Sequence, residues 1–457
     1  MMKKFICIFI IFSLVTVITA CGQGSTSAPV DEQSGVEAEV TPVTEEVASE
    51  VVATEEAEPE PSPEEIIDVA MNEGLDYYYA RNGKTADNDK ALEAFQKAAD
   101  LDSAEAYYYI GRIHDRAEEY GEAKSAYEKA IDLGNSMAKL GLGELYILGN
   151  GVDIDNPKGK ELFESAISEG CNEANAGIGD LYQSGYDGLE ADLNKAIECF
   201  EIAAKGDEPE WVMYARQSLA FIYSGVYDSV PQDMDMVNQY IDSAIEVSKD
   251  WTTSSYVWAG QFCFDYLNDT DKALNYWEAA AALNDAEAMA RIGYTYVYNK
   301  KDIPQGIEWY EKAADQNNAL ALNNLGYMYE KGEGVDVDYA KALDYYESAA
   351  DAGDIEAFGN IGRMYRDGNG VDVDYAKAVE CFEKAVDAGS DSAATNLAVM
   401  YIEGQGVDKD YEKAADYFAR AVAHNNQDAK DSLANMVGEG LITQDKANEL
   451  LSKYPAQ

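Results

Sequence analysis

The 457-residue sequence predicts an all-α fold, an α/α superhelical solenoid of about eleven helix-turn-helix repeats over residues 66–457. Three positions that recur from repeat to repeat, each called a column here, predict this fold. They are an alanine, an aromatic residue three positions before it, and a small residue that most often lies sixteen positions after the aromatic residue. The alanine column comprises Ala98, Ala130, Ala166, Ala203, Ala244, Ala280, Ala313, Ala349, Ala385 and Ala421. Because one helix pair cannot bury its apolar faces alone, such repeats stack into a continuous core.

The first twenty residues are typical of a targeting signal. Lys3 and Lys4 precede an apolar run over residues 5–17, and small residues lead to Cys21. This segment resembles a bacterial lipoprotein signal peptide, and the resemblance implies a diacylglyceryl group on Cys21. The alternative is an ordinary secretory signal with an incidental cysteine. We expect residues 1–20 to be removed and the protein to be lipid-anchored at the extracytoplasmic face of the cell membrane.

Residues 21–65 are predicted to be the lipidated cysteine followed by a disordered acidic tether. The segment contains thirteen acidic residues, and no Lys or Arg occurs between residues 5 and 80. Pro59, Pro61 and Pro63 favour an extended chain, and no apolar period is present. The tether is expected to act only as a spacer.

Each repeat is predicted to contain two antiparallel helices, A and B. The small column, as in Gly326 and Gly362, lies in helix A and lets helix B approach closely, while the aromatic residue of helix B, as in Tyr346, fills the space between neighbouring repeats. Apolar residues at i, i+4 and i+7 place Ala342, Tyr346 and Ala349 on one helical face. The loops between the helices vary in length, as surface loops do.

The repeats resemble the Sel1-like family, which is related to tetratricopeptide repeats. The resemblance rests on the stretch Leu-Gly-Tyr-Met-Tyr at 325–329, the loop Gly-Glu-Gly-Val at 332–335, and Lys341-Ala342 leading to Tyr345-Tyr346. It implies a right-handed superhelix and, usually, a scaffold for protein interaction. Residues 428–457 match a helix A and then end in Tyr-Pro, which suits a terminal cap.

Paired aspartates in the repeat loops suggest calcium ligands at first sight, as in Asp336 and Asp338. Nine aspartates nevertheless stand at one register position just before helix B, where a carboxylate can accept backbone N–H groups. No stretch has the ligand succession of an EF-hand loop. We therefore expect helix caps, and no metal site or cofactor.

Composition narrows the function classes. With 34 Lys and Arg against 86 Asp and Glu, the net charge of −52 argues against binding to nucleic acid phosphates. The two histidines, His114 and His424, are isolated in sequence, with His114 expected in the core, and no nucleotide loop, GxSxG or HExxH motif is present. We therefore expect a protein that is not an enzyme.

The sequence points to a concave groove lined by helices A as the interaction surface. Its predicted partner-binding residues directly follow the small column or lie one turn further: Arg112, Arg116, Tyr294, Tyr298, Tyr327, Arg363 and Arg366. Arginine and tyrosine are typical of interface hot spots. The alternative is that the arginines form exposed salt bridges, which contribute little to stability. In that case, replacing Arg112 and Arg116 together leaves folding intact.

Two functions remain after these exclusions. The first is a scaffold that binds an unidentified protein or peptide partner in the groove. The alternative is an envelope ligand-binding or sensor component, which captures cationic peptides or small ligands through its acidic field.

Overall fold

The computed structural model describes residues 61–454, except for residues 83, 85, 187–188, 250–251 and 425. The predicted signal peptide, Cys21 and almost all of the tether lie outside the described residues. The described chain contains 22 α-helices, which form eleven A/B pairs, and no strand. The predicted all-α repeat fold is therefore confirmed.

The chain divides into two compact units, Met1–Ser255 and Tyr256–Gln457. Unit 1 begins its described part with five helix pairs. They are α1 (Pro63–Tyr78), α2 (Asn88–Ala99), α3 (Ala104–Arg116), α4 (Tyr120–Asp132), α5 (Met137–Leu148), α6 (Asn156–Ser168), α7 (Asn175–Ser184), α8 (Leu193–Ala203), α9 (Pro209–Phe221) and α10 (Met234–Ser248). A π-helical turn, Ile222–Val226, extends α9.

Unit 2 contains the remaining six pairs, the first of which starts at the unit boundary. They are α11 (Ser254–Asp265), α12 (Thr270–Ala282), α13 (Ala286–Tyr294), α14 (Ile303–Ala314), α15 (Ala319–Lys331), α16 (Tyr339–Asp351), α17 (Ile355–Asp367), α18 (Tyr375–Asp387), α19 (Asp391–Glu403), α20 (Tyr411–Ala423), α21 (Gln427–Gly438) and α22 (Gln444–Lys453). A π-helical turn, Thr295–Lys300, follows α13.

The aspartate column fixes the starts of nine helices B. In α16, for example, the Asp338 side chain accepts from the backbone N–H of Lys341 at 3.0 Å. All nine predicted caps are confirmed: Asp87, Asp155, Asp192, Asp233, Asp269, Asp302, Asp338, Asp374 and Asp410. Helix α4 begins after Glu119 without a side-chain cap.

The small column makes room for the ring of its own helix B. A Cβ atom added at Gly362 would lie 2.8 Å from the ring of Phe382, and one at Gly326 would lie 2.7 Å from the ring of Tyr346. The rings also reach the next helix A, since Gly177 faces the ring of Phe163. The aromatic column thus fills the space within and between pairs, as predicted.

The first helix begins slightly earlier than predicted. Pro63 opens α1 rather than extending the tether, because Ser62 caps the helix and exchanges hydrogen bonds with Glu65. Proline suits this first helical position, where its missing N–H costs nothing. Among the helices of the described residues, none is long and apolar enough to cross a membrane.

Candidate partner-binding surfaces

The structure places Arg112 and Arg116 inside unit 1. Both lie on α3, one turn apart, and both donate to the carboxylate of Glu210 at the start of α9. The Arg112 Nη2 to Glu210 Oε2 distance is 2.8 Å, and Glu210 is only 3% exposed. These arginines therefore hold two distant repeats of unit 1 together, which differs from the exposed ion pairs considered from sequence.

Aromatic side chains surround this ion pair. The Arg112 guanidinium lies 5.2 Å from the ring of Trp211, and Arg116 lies 4.4 Å from the ring of Tyr78. The indole N–H of Trp211 donates to the hydroxyl of Tyr108 at 3.4 Å. Such contacts strengthen when water is excluded. We call Arg112, Arg116, Glu210, Trp211 and their ring partners the unit 1 clamp.

A second glutamate extends the unit 1 clamp. The carboxylate of Glu208 accepts from the hydroxyls of Tyr79 and Tyr109, the latter at 3.2 Å. The segment from Glu208 to Trp211 is thus bound by Tyr79, which directly follows α1, and by residues of α3, all more than ninety residues earlier. It covers the helix A face that the sequence predicted to be open.

Glu210 is buried, whereas Glu144 and Asp180 are partly buried, and the pKa of Glu210 shifts in the opposite direction to those of the other two. Burial acts to raise the pKa of Glu210, but Arg116 and Arg112 outweigh it and leave the pKa below its usual value. Burial raises the pKa of Glu144 to about 8. Arg112, which is 3.8 Å away, lowers this pKa but offsets the effect of burial only in part. Burial likewise raises the pKa of Asp180 to about 7, although the Tyr214 hydroxyl donates to it.

Unit 2 presents tyrosines at the corresponding positions. Tyr294 is 43% exposed, and its ring centroid lies 4.7 Å from that of Tyr298 in a tilted arrangement. Tyr327 follows the small residue of the next repeat and is half-buried. These three predicted residues therefore lie on neighbouring repeats, with their rings partly open to solvent.

Arg363 lies beside the tyrosines in an internal network. Its Nη2 donates to Glu330 at 3.3 Å and to the Asn360 side chain at 2.9 Å. Glu330 also accepts from Lys331 at 2.6 Å and from the Tyr346 hydroxyl at 2.8 Å. Burial opposes ionisation of Glu330, but these donors hold its pKa below the usual value.

Arg366 lies further along the same helix, α17. Its Nε and Nη2 pair with both carboxylate oxygens of the neighbouring Asp367, and its Nη1 donates to Asn396 at 2.6 Å. The guanidinium group of Arg366 therefore makes these contacts near the surface, with 23% of its side chain exposed. Of the seven predicted positions, the four arginines all form ion pairs with carboxylates. Among the tyrosines, the Tyr327 ring has the Lys331 ammonium 5.9 Å from its centroid.

A lysine stands three residues after seven of the nine aspartate caps, and its contacts were not predicted. In three repeats its ammonium donates to the hydroxyl of a helix A tyrosine, as Lys341 does to Tyr329 at 2.7 Å. The same ammonium lies 4.1 Å from the centroid of that ring. The constant twelve-residue separation of tyrosine and lysine, as in Tyr365 and Lys377, was the available signal.

The histidines and cysteines make contacts that are typical of structural residues. His114 is partly exposed rather than in the core, because its ring turns to the Glu119 carboxylate at 2.6 Å. His424 ends α20 and lies 2.7 Å from Asp391. Cys171, Cys199, Cys263 and Cys381 are free thiols. Over the described residues, no group of His, Cys, Asp and Glu is arranged to hold a metal ion.

Comparison with known families agrees with the helical register. The profile described as Sel1 repeat matches residues 134–171, 172–208, 260–285, 286–318, 319–354, 359–390 and 391–426, together more than half of the chain. A tetratricopeptide repeat profile matches residues 77–138. A search of curated proteins found no match.

Solved structures with a similar fold include a Sel1 repeat protein from Oxalobacter formigenes, at 22% identity, 83% coverage of this chain, 95% of that chain and a TM-score of 0.41. Another is c5321 from uropathogenic Escherichia coli, described as a protective antigen, at 23% identity, 86% and 94% coverage and a TM-score of 0.36. A sel1 repeat protein from Klebsiella pneumoniae has 20% identity, 40% and 92% coverage and a TM-score of 0.30. These likenesses concern the fold alone.

Proposed function

Because the chain belongs to the Sel1 repeat family, we propose that it is a lipid-anchored extracytoplasmic scaffold that binds a protein or peptide partner on unit 2. Sel1 and tetratricopeptide repeats generally serve as protein-interaction scaffolds, and stacked repeats offer extended binding surfaces. We call the face formed by Tyr294, Tyr298, Tyr327 and Arg363 the unit 2 groove. It is the part of the predicted surface that carries the proposal.

The observation that supports unit 2 is the exposure of its tyrosines. Tyr294 leaves 43% of its surface in solvent, whereas Arg112, at the same repeat position in unit 1, leaves only 9%. Tyrosine offers a large, rigid contact area with a polar tip, and it is enriched in interface hot spots. The unit 2 groove thus has both the composition and the accessibility that binding requires.

Partner capture in intact cells tests the unit 2 groove. Crosslinking followed by identification of the bound protein should recover a partner with the wild-type chain, and recovery should fall at least tenfold for Tyr294→Ala with Tyr327→Ala. The matched control is Tyr339→Ala with Tyr375→Ala, since these tyrosines are exposed to a similar degree, 38% and 37%, but begin helices B. Undiminished recovery with the groove variant would refute this assignment.

The lipid anchor is a separate part of the proposal, and it is supported by the sequence around Cys21. One acyl-bearing cysteine at the mature N-terminus would hold the repeats at the membrane through a spacer of about forty residues. Replacing Cys21 by serine should move the protein from the membrane fraction to the soluble fraction. A Cys21→Ser variant that remains in the membrane fraction would rule out this anchor.

A further inference from the structure

Four exposed side chains follow one another along the loops between helices A and B of unit 2. Val337 and Val373 each leave 52% of their surface in solvent, and the exposed Tyr339 and Tyr375 begin the helices that follow them. The two pairs occupy equivalent positions in adjacent repeats. We call these four residues the loop strip. Contiguous exposed apolar groups with a polar rim are typical of interaction sites.

Glycines of the loops join the side chains of the loop strip into one surface. A Cβ atom added at Gly370 would lie 2.5 Å from the Cβ atom of Tyr339, so this tyrosine packs against the loop of the next repeat. In that loop, a Cβ atom added at Gly368 would lie 2.8 Å from Cγ2 of Val373. The other valine and the other tyrosine make the corresponding contacts in their own repeats. The loop strip is therefore continuous from one repeat to the next.

Carboxylates form the rim of the loop strip. Asp336 and Asp372 directly precede the two valines, and both are exposed. Neither of them forms an ion pair within the described part of the chain. Lys341 and Lys377, in the first turns of the helices that follow, donate instead to tyrosine hydroxyls. The rim is therefore negative, and these lysines do not neutralise it.

We propose that the loop strip binds a basic segment of a partner protein that carries aliphatic side chains. The aliphatic groups cover the valines and the tyrosine rings, while lysine or arginine residues beside them pair with Asp336 and Asp372. The net charge of −52 opposes both a second copy of the chain and an anionic lipid surface at this place. This inference goes beyond the proposed function, because the loop strip shares no residue with the unit 2 groove.

Three synthetic peptides test the inference on the full chain. The first is a blocked glycine/serine peptide that contains two leucines and three lysines. The second has serine in place of both leucines, and the third has glutamine in place of the lysines. Ligand-observed NMR titration measures their dissociation constants, and we expect the leucine–lysine peptide to bind about fivefold more tightly than either of the others. If it binds no better than one of them, the inference is overturned.

Variants of the valines show where the peptide binds. Val337→Ser with Val373→Ser should weaken the leucine–lysine peptide about fivefold and leave the serine peptide unchanged, because only the apolar contact is lost. Ile154→Ser is the matched control, since Ile154 is 67% exposed and packs on Gly149 in a loop of unit 1, as the valines pack on their glycines. An equal effect of the control would show that any exposed aliphatic residue suffices, and would refute the loop strip.

Variants of the rim test the charge contribution separately. Asp336→Asn with Asp372→Asn should weaken the two peptides that contain lysine about threefold and leave the glutamine peptide unchanged. Glu347→Gln with Glu383→Gln is the control, because it removes the same number of exposed carboxylates from α16 and α18 of the same unit. If both double variants weaken binding equally, only the general acidic field is acting, and the rim has no specific role.

Sedimentation and vesicle binding test the other occupants of such a surface. Both use the Cys21→Ser background, so that the proposed lipid anchor does not contribute. Val337→Ser with Val373→Ser should change neither the sedimentation coefficient nor the binding to phosphatidylglycerol vesicles. A loss of self-association in this variant would reassign the loop strip to a second copy of the chain, and a loss of vesicle binding would reassign it to a lipid surface.

The inference and the proposed function fail separately. Partner capture that depends on Tyr294 and Tyr327, together with equal binding of the three peptides, would refute only the loop strip. Peptide binding that depends on the valines, together with capture that survives Tyr294→Ala with Tyr327→Ala, would refute only the unit 2 groove. If capture is lost instead in Tyr339→Ala with Tyr375→Ala, the captured partner belongs to the loop strip.

Discussion

Units 1 and 2 are built from the same repeat, but they differ in the face of helix A that follows the small column. This face is covered in unit 1 and partly exposed in unit 2. Unit 1 places Arg112, Glu144 and Asp180 directly after its small residues, and the segment that begins α9 covers that face. Unit 2 places Tyr294 and Tyr327 there, and leaves them partly exposed. The repeat register determines which residues share a face, but residues from distant repeats determine whether that face is available.

The largest expected effect comes from substitutions that disrupt the unit 1 clamp. Glu210→Ala leaves two buried guanidinium groups without their carboxylate and should destabilise unit 1 by about 3–5 kcal/mol. Arg112→Ala with Arg116→Ala should also destabilise it, contrary to the expectation from sequence, because Glu210 then stays buried and unpaired. Amide hydrogen exchange in α3 and α9 measures the effect.

Glu330→Ala is the counterpart of that change in unit 2. Its cations are better hydrated, with 40% of the Lys331 side chain and 31% of the Arg363 side chain exposed. We expect a loss of only about 1–2 kcal/mol in unit 2. Equal losses in the two units would contradict the distinction between a closed and an open face.

A packing change common to both units comes next. Gly362→Ala adds a Cβ atom 2.8 Å from the ring of Phe382, and Gly111→Ala adds one 2.6 Å from the ring of Tyr127. Each should destabilise its own unit by about 1–3 kcal/mol through overpacking, as followed by denaturant unfolding and hydrogen exchange. Gly359→Ala is the control in the same helix, because its Cβ would meet nothing within 4 Å.

Glycine loses more conformational freedom on folding than alanine does, so Gly359→Ala should be neutral or stabilise unit 2 by about 0.5–1 kcal/mol. If Gly359→Ala were as harmful as Gly362→Ala, the close approach of helix B would not explain the small column.

Stability against pH should differ between the units. Burial raises the pKa of Glu144 from 4.5 to about 8 and that of Asp180 from 3.8 to about 7. The folded state therefore binds more protons, and this contribution is full below about pH 4 and is lost as the pH rises to about 8. Glu144→Gln with Asp180→Asn should stabilise unit 1 at pH 8 by about 1–2 kcal/mol.

The measurement is hydrogen exchange or thermal unfolding at pH 5 and pH 8. The stability of unit 2 should not respond to this double variant. A pH dependence of unit 1 that survives the double variant would show that other groups are responsible.

The smallest effect concerns the helix caps, which both units share. Asp338→Ala should cost unit 2 about 1 kcal/mol, because the backbone N–H of Lys341 loses its acceptor. Asp336→Ala, two residues earlier and exposed, should change stability by less than about 0.5 kcal/mol. A calcium site would instead make both variants lower a calcium-dependent rise in melting temperature, which thermal unfolding with and without calcium would detect.

Much of the fold was predictable from local patterns. The alanine, aromatic and small columns gave the helix pairs, and the aspartates gave the starts of nine helices B. These features could be read because each depends on contacts within one repeat or between adjacent repeats. The lysine that lies over a helix A tyrosine was equally readable from its constant spacing, although it was missed.

The proposed binding surface was predictable only in part. Tyr294, Tyr298 and Tyr327 were selected from their register, but the exposure of their rings became known only from the structure. The unit 1 clamp was beyond local patterns, since Arg112 and Glu210 are 98 residues apart.

The sequence by itself determined the repeat, its helix pairs, its capping residues and the face on which each side chain lies. These follow from the helical period and from short-range sterics, which act within a few tens of residues. Only the tertiary structure decided that Arg112 and Arg116 are bound internally while Tyr294 remains open. Whether an arginine is bound internally depends on whether a distant carboxylate can reach it. The whole surrounding fold determines this, because it sets the free-energy cost of removing the charge from water.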